Sequence, residues 1–330
     1  MSAIPRKVLL TGGAGFVGSF VAEALLALGI SLTIVDNLDD FYSVARKKAN
    51  LHEIRRKGSF EFAELDICDA ARLRDVFANV CPDAVIHLAA RAGVRPSIEQ
   101  PALYARVNIM GTLQLLELVR EFGVGKFIYG SSSSVYGATS PVPFSEDERD
   151  LRPISPYAAT KLAAELLAFT YAGLYPFECV CLRFFTVYGP RQRPDLAIHK
   201  FTALMESGQA VPVFGDGSAA RDYTYVDDIV AGVLAALEYS PPASWGAKFE
   251  VFNLGNSRPV ALNDLILKLE AATGRKATRR VMPAQPGDVP ATWADISRAE
   301  KALGYRPRTP LDVGLKNFVR WFRSADKTLR

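Results

Sequence analysis

Lys7-Val-Leu-Leu-Thr11-Gly12-Gly13-Ala14-Gly15-Phe16-Val17-Gly18 is the stretch that decides the fold. Lys7 to Thr11 is a short apolar run that reads as a strand, and Ser19 to Leu28 reads as a helix. Between them, glycines at 12, 15 and 18 let the backbone turn tightly, approach a pyrophosphate and pack the helix on the strand. A helix beginning at such a turn offers N–H groups and the positive end of its dipole to phosphates. The next apolar run, Ser31 to Val35, ends at Asp36. An acidic residue about 20 positions past the glycines is placed to bind the ribose hydroxyls of NAD. A carboxylate there repels the 2′-phosphate of NADP, so NAD is favoured.

The alternation continues outward from this unit. Phe60 to Leu65 reads as a strand ending at Asp66-Ile67, a pair able to border an adenine, and Asp69 is the expected N-cap of a helix over Ala70 to Val80. Ala84 to Ala90 is apolar throughout, as a strand buried on both faces of a parallel sheet requires. Lys126 to Gly130 and Cys179 to Phe185 are further strands, and Tyr104 to Phe122 is a helix that carries the polar Asn108. Strands alternating with helices across Gly-rich turns predict an α/β fold, a Rossmann-type doubly wound parallel sheet with a smaller C-terminal α/β lobe. Phe252 to Gly255 reads as a short strand before that lobe, Asp227-Asp228 as helix-capping residues, and Leu303 to Arg330 as one amphipathic helix.

Composition narrows the class. The 330 residues are 49% hydrophobic and 22% charged, ample for a large core, and the length predicts two domains or one with an added lobe. The net charge of +4 comes from Lys and Arg scattered along the chain, so no nucleic-acid partner is implied. No signal peptide precedes the first strand and no apolar run approaches a membrane span. The cysteines, Cys68, Cys81, Cys179 and Cys181, form no C-x-x-C pair and read as buried thiols of a cytoplasmic protein. His52, His87 and His199 lie too far apart to suggest a metal site.

Polar residues then cluster after the strands. Arg91-Ala-Gly-Val-Arg95-Pro-Ser97 follows a central strand, where ligands bind in such sheets, and its arginines either meet an anion or are solvated charges. Ser131 to Ser134 follow another strand, with hydroxyls able to hydrogen-bond a substrate hydroxyl and pass protons. Ser155-Pro156-Tyr157-Ala-Ala-Thr-Lys161 starts a helix in which Tyr157 and Lys161, at i and i+4, share a face. An ammonium beside a phenol lowers a pKa that starts near ~10 and makes a general base of it.

Taken together, Gly12-x-x-Gly15-x-x-Gly18, Asp36, His87-Leu-Ala-Ala90, Asn108 with Gly111-Thr112, the serines before Val135-Tyr136-Gly137, and Tyr157-x-x-x-Lys161 resemble the extended short-chain dehydrogenase/reductases, in their nucleotide-sugar epimerase and dehydratase branch. The resemblance covers nearly the whole chain. It implies a catalytic triad of Ser132, Tyr157 and Lys161, with Ser132 chosen because the family counts it three residues before the valine of V-Y-G. It implies NAD contacts from Gly12, Gly15, Phe16, Val17, Gly18, Asp36, Asn37, Asp66, Ile67, Leu88, Ala89, Ala90 and Asn108 besides Tyr157 and Lys161, with Lys161 on the nicotinamide ribose. It divides the chain into an NAD-binding domain at 1–180, joined by later segments at about 222–255, and a nucleotide-sugar-binding lobe at 181–330. It implies a homodimer formed through two helices of each subunit.

Departures select the branch. Dehydratases carry Asp-Glu after the catalytic hydroxyl and UDP-glucuronate decarboxylases a Glu near it; here Ser133 and Ser134 stand there, so the extra acid/base for elimination or decarboxylation is missing. Thr186, where UDP-glucose 4-epimerases usually have Asn, and the run Gly189-Pro190-Arg191-Gln192-Arg193-Pro194-Asp195 are similar to UDP-glucuronate 4-epimerases. A hydroxyl with a guanidinium can hold a sugar carboxylate, Arg193 rather than Arg191 being favoured for it. Arg221 matches the family's phosphate-binding arginine and Asp288 its ribose-binding residue. Gln285 stands where UDP-glucose epimerases often have Arg, which makes Arg95 the candidate replacement cation, and Ala92 where some place Lys. The expectation is therefore a UDP-glucuronate 4-epimerase with a UDP-sugar substrate, a UDP-glucose or UDP-N-acetylhexosamine 4-epimerase being the alternative. A non-catalytic NAD-binding regulator is disfavoured by the intact triad.

Overall fold

The computed structural model describes residues 5–244, 246–283 and 289–325. The first half runs β1 (Lys7–Thr11), α1 (Phe16–Ala27), β2 (Ser31–Asp36), α2 (Val44–Arg55), β3 (Glu61–Glu64), α3 (Ala70–Val80) and β4 (Ala84–His87). Two short helices, α4 (Val94–Glu99) and α5 (Pro101–Tyr104), lead into one π-helical turn at Ala105–Met110 and then α6 (Gly111–Glu121). β5 (Lys126–Ser132), α7 (Pro156–Leu174) and β6 (Glu178–Phe184) complete this half. The rest is β7 (Thr186–Tyr188), α8 (Ala197–Glu206), β8 (Val211–Phe214), β9 (Ala220–Tyr225), α9 (Val226–Glu238), β10 (Phe249–Leu254), β11 (Pro259–Ala261), α10 (Leu262–Thr273), β12 (Arg279–Met282), α11 (Ser297–Leu303) and α12 (Leu311–Ser324).

Seven strands form one sheet in the order β10-β6-β5-β4-β1-β2-β3, and every adjacent pair is parallel. The order reverses between β1 and β4, so the crevice for a ligand opens at the carboxyl ends of those two strands. Strand alternation sends Leu10, Ile34, Ile86, Ile128 and Val180 into one buried cluster and Leu9, Val35, Val85, Phe127 and Cys179 into the other. Helices α1, α2 and α9 cover the first face and α3, α6 and α7 the second.

The smaller lobe holds the three-stranded sheet β11-β9-β7 and the parallel pair β12-β8. Its apolar residues, among them Ile198, Val211, Leu265 and Phe318, are continuous with the core under α1. β6 spans residue 180 and lies inside the large sheet, so a division at 180 cuts a strand; the chain leaves that sheet after Phe184. β10 returns to the sheet's edge beside β6.

Three expected elements differ. The C-terminal segment is two helices separated by residues 304–310, which include Pro307 and Pro310, with residues 326–330 outside the described ones. The expected helix over 104–122 is interrupted by the π turn that carries Asn108. Asp228 does not cap α9, whose N-cap is Tyr225; its carboxylate accepts the N–H groups of Arg308 and Thr309 at 2.9 and 3.1 Å and tethers the start of α12. Asp69 does cap α3, accepting from the Arg72 N–H at 3.2 Å. Among the described residues no helix is long and apolar enough to cross a membrane, and no group of His, Cys, Asp and Glu is arranged to hold a metal ion.

Helix α7 is locked to the sheet by an ion pair. Arg183 on β6 donates to Glu165 through Nε at 3.0 Å and Nη2 at 2.8 Å, with the two side chains only 5% and 4% exposed. Ser131 at the end of β5 donates to the same carboxylate. Removing one member of such a pair strands a buried charge, so Glu165→Gln is expected to lower the unfolding free energy by about 3–5 kcal/mol in denaturant titrations.

Candidate active site

The carboxyl ends of the strands enclose one cavity of about 1510 Å³. Drug-sized ligands occupy roughly 300–1,000 Å³, so this cavity has room for two. At one end it is lined by the glycine turn with Phe16 and Val17, by Asp36 and Asn37 after β2, by Asp66 and Ile67 after β3, and by Leu88, Ala89 and Ala90 after β4. Gly12 is obligatory on two grounds: its φ is +74°, and a Cβ there would sit 2.7 Å from the Ala89 nitrogen. A Cβ on Gly18 would lie 2.1 Å from the Gly12 carbonyl oxygen. The first-turn N–H groups of α1 carry no side-chain cap, and they point into the phosphate position of a dinucleotide. The Asp36 carboxylate accepts from Ala14 N at 3.1 Å and Leu38 N at 2.9 Å, with Lys47 Nζ at 3.7 Å. Two oxygens offer about four lone-pair sites, so acceptor capacity remains for ribose hydroxyls. The residues present therefore fit NAD.

Asn108 is the exception among the expected cofactor residues. It does not line the cavity. Its carbonyl oxygen accepts from Arg91 N at 2.8 Å, and its amide donates to Arg91 O and Thr160 Oγ1, each at 3.0 Å. The side chain makes these three bonds inside the protein and ties the loop after β4 to α7. His87 lies in the same buried polar layer. The Thr112 hydroxyl proton goes to Asn108 O at 2.6 Å, so His87 Nε2 donates to Thr112 at 3.0 Å and Nδ1 accepts from Thr11 at 2.7 Å. Burial lowers the His87 pKa to about 3, consistent with this neutral ring.

Ser132, Ser133, Ser134, Tyr157, Lys161, Thr186 and Arg193 line the same cavity, as do Arg95, Arg221 and Phe214. Ser132 is the last residue of β5, which runs two residues past the expected end. Its hydroxyl donates to Ser134 Oγ at 3.1 Å, accepts from Ser134 N at 3.2 Å, and is near enough to the Tyr157 phenol to lower its pKa. Tyr157 stands in the first turn of α7, whose N-cap Ser155 accepts from Ala158 N at 3.2 Å. Arg221 Nη1 donates to Ala220 O at 2.9 Å, and the Arg95 guanidinium lies 5.1 Å from the Phe214 ring centre. Gln285 and Asp288 lie outside the described residues. Arg191 is a structural group: it pairs with Glu23 at 2.6 Å and lies 4.5 Å from the Phe20 ring centre, away from the cavity.

Burial dominates the electrostatics of the Tyr–Lys pair, against the expected lowering of the phenol pKa by the ammonium. Burial raises the Tyr157 pKa, and the groups that oppose it are the Ser132 hydroxyl and the Arg193 charge, not Lys161. Lys161 Nζ donates to Gly130 O at 2.7 Å and lies 4.8 Å from the Tyr129 ring centre. Burial lowers its pKa to about 7, against the opposing charge of Glu165. Tyr157, Lys161 and Glu165 fall at i, i+4 and i+8 on one stripe of α7. The Glu165–Arg183 pair behind the lysine was invisible in the sequence: a Glu within a helix reads as solvated, and only the fold carries Arg183 to it.

Fold and site define a short-chain dehydrogenase/reductase of the extended type. The chain belongs to the family whose model is described as GDP-mannose 4,6 dehydratase, which matches residues 9–318. It is 45% identical over 314 residues to the UDP-glucuronate 4-epimerase of Thermodesulfobacterium geofontis, covering 95% of each chain. It is similar to the structure of UDP-glucuronic acid 4-epimerase from Bacillus cereus in complex with UDP-glucuronic acid and NAD, with TM-score 0.88, 38% identity and coverage of 96% of this chain and 99% of that one. UDP-glucose 4-epimerase of Thermotoga maritima, with UDP-glucose, matches with TM-score 0.88 and 37% identity over 98% of this chain and 100% of that one.

A lysine with a depressed pKa holds fewer protons folded than unfolded, so its contribution to stability grows as pH rises between about 7 and its ordinary 10.5. In the ligand-free protein, the stability difference between wild type and Lys161→Met is expected to move in favour of wild type from pH 7 to pH 10, read by denaturant titration at each pH.

Proposed function

We propose that this chain is a UDP-glucuronate 4-epimerase that works with bound NAD. The observation that carries the reading is Arg193: its guanidinium lines the same cavity as Tyr157 and is close enough for its charge to act on the phenol. A cation beside the base suits an anionic sugar, and the 45%-identical relative supports that substrate. In this reading the lobe formed mostly by 181–330 binds the nucleotide sugar, with Arg95 and Arg221 toward the phosphates.

NAD when bound supplies the acceptor for the C4 hydride and returns it. Tyr157 removes the proton of the sugar 4-hydroxyl directly or through Ser132, which lines the same cavity and lowers the phenol pKa. Because burial opposes the phenolate, nearby positive charge is needed to reach it, and Arg193 contributes such charge. Lys161, anchored on Gly130 O, holds the ribose and the first turns of α7 in place. The oxidised sugar is a 4-keto uronate, a β-keto acid prone to lose CO₂. Thr186, Arg193, Ser133 and Ser134 hold the carboxylate so that its C–C bond stays out of line with the ketone π system. No carboxylate occupies 133 or 134 to assist elimination, so oxidation is followed by reduction from the other face.

A UDP-glucose or UDP-N-acetylhexosamine 4-epimerase is the second reading, favoured by the equal TM-score of the Thermotoga maritima enzyme. We place the enzyme in the cytoplasm as a homodimer, supported by its four free cysteines and by Leu166 and Leu174, exposed at 60% and 67% on α7.

The purified protein is expected to convert UDP-glucuronate to UDP-galacturonate with no net NADH, monitored by chromatography and absorbance. Equal or better turnover of UDP-glucose would overturn the uronate assignment. Tyr157→Phe is expected to lose at least ~100-fold in kcat with NAD retained. Ser132→Ala removes a hydroxyl that lowers the phenol pKa, so the rising limb of its pH–kcat profile is expected to shift to higher pH.

A further inference from the structure

The segment Asn37-Leu38-Asp39-Asp40-Phe41-Tyr42, between β2 and α2, forms part of the cavity wall. It is stiffened from within. Asp36 accepts from Leu38 N at 2.9 Å, Asn37 from Asp39 N at 3.0 Å and Asp39 from Phe41 N at 2.9 Å. These are three successive side-chain-to-backbone turns, rooted on the carboxylate that faces the cofactor ribose.

At the far end of this strap the Phe41 ring meets two guanidinium groups, Arg91 at 5.4 Å and Arg193 at 5.2 Å from its centre. Two cations on one ring repel unless each is neutralised. Arg91 pairs with Asp39 of the strap itself. Arg193 donates to Asp195 through Nε at 2.9 Å and Nη2 at 2.6 Å. A guanidinium has five N–H donors arranged along two edges that can each chelate a carboxylate. Asp195 takes the Nε–Nη2 edge, so the Nη1–Nη2 edge is the one available to a second carboxylate.

Resting on the UDP-glucuronate reading, we propose that Phe41 is a positioning residue that, with Asp195, holds the Arg193 guanidinium with its outer edge toward the sugar carboxylate, and so sets selectivity for a uronate over a neutral hexose. A free arginine samples many rotamers, and ordering it on binding weakens affinity; an aromatic face and a carboxylate order it beforehand. The strap makes this arrangement continuous with the cofactor end of the site, since Asp36 and Phe41 are ends of one self-bonded segment.

The test is calorimetric titration of the NAD-loaded enzyme with UDP-glucuronate and with UDP-glucose, for wild type, Phe41→Leu and Phe41→Tyr. Leucine keeps apolar bulk without a π face, and tyrosine keeps the face. Phe41→Leu is expected to weaken UDP-glucuronate about tenfold and leave UDP-glucose unchanged, with Phe41→Tyr near wild type. In turnover, the same variant is expected to raise KM for UDP-glucuronate and the fraction of decarboxylated product. Equal weakening of both ligands by Phe41→Leu, or none, overturns the proposal alone. A wild type that binds UDP-glucuronate no better than UDP-glucose overturns the functional reading, and the proposal with it.

Discussion

The site depends on a charge pair that is almost wholly withdrawn from water. Glu165 and Arg183 meet in bidentate geometry between α7 and β6, and Ser131 at the end of β5 adds a third hydrogen bond. A buried pair adds little net stability over apolar packing, yet it tolerates the loss of neither partner and admits few alternative arrangements. It therefore acts as a register pin. The same helix stripe carries Tyr157 and Lys161, and the same strand end carries Ser132. Once α7 is pinned to β5 and β6, phenol, ammonium and hydroxyl are held in one geometry by a fourth group that does no chemistry.

Burial makes the same site electrostatically reluctant. It raises the phenol of Tyr157 and lowers the ammonium of Lys161 to about 7. Burial works against the phenolate, and the groups that favour it are Ser132 and Arg193 rather than the lysine four residues on. Positive charge beside the phenol is what favours it as a base. The substrate end follows a parallel logic: Arg193 is already ordered by Asp195 and by the Phe41 face. Pre-ordering of this kind shifts the entropic cost of recognition from binding to folding.

Legibility followed range. The strand–glycine–helix opening, Asp36, the Asp69 cap and the Tyr157–Lys161 spacing all rest on contacts within a few residues or on one backbone turn, and each reads directly from sequence. Where the partner lies far along the chain, the reading went astray or silent. Asn108 looked like a ligand-facing polar residue, but its amide and carbonyl are engaged by Arg91 and Thr160, 17 and 52 residues away. Asp228 looked like a helix cap and instead holds a loop 80 residues on. Glu165, Arg183 and Phe41 carried no pattern that separates them from a solvated charge or an ordinary core ring.

The sequence alone determined the class of this protein: a parallel doubly wound sheet, a dinucleotide turn that only glycine permits, and a Tyr–Lys pair on one helical face. These are consequences of steric limits and of periods of two and 3.6 residues. The tertiary structure decided which polar residues face the ligand and which hold the frame, and in which direction each pKa moves. Both are set by burial and by partners brought from distant segments. Desolvation depends on what surrounds a group in three dimensions, and no local pattern encodes it.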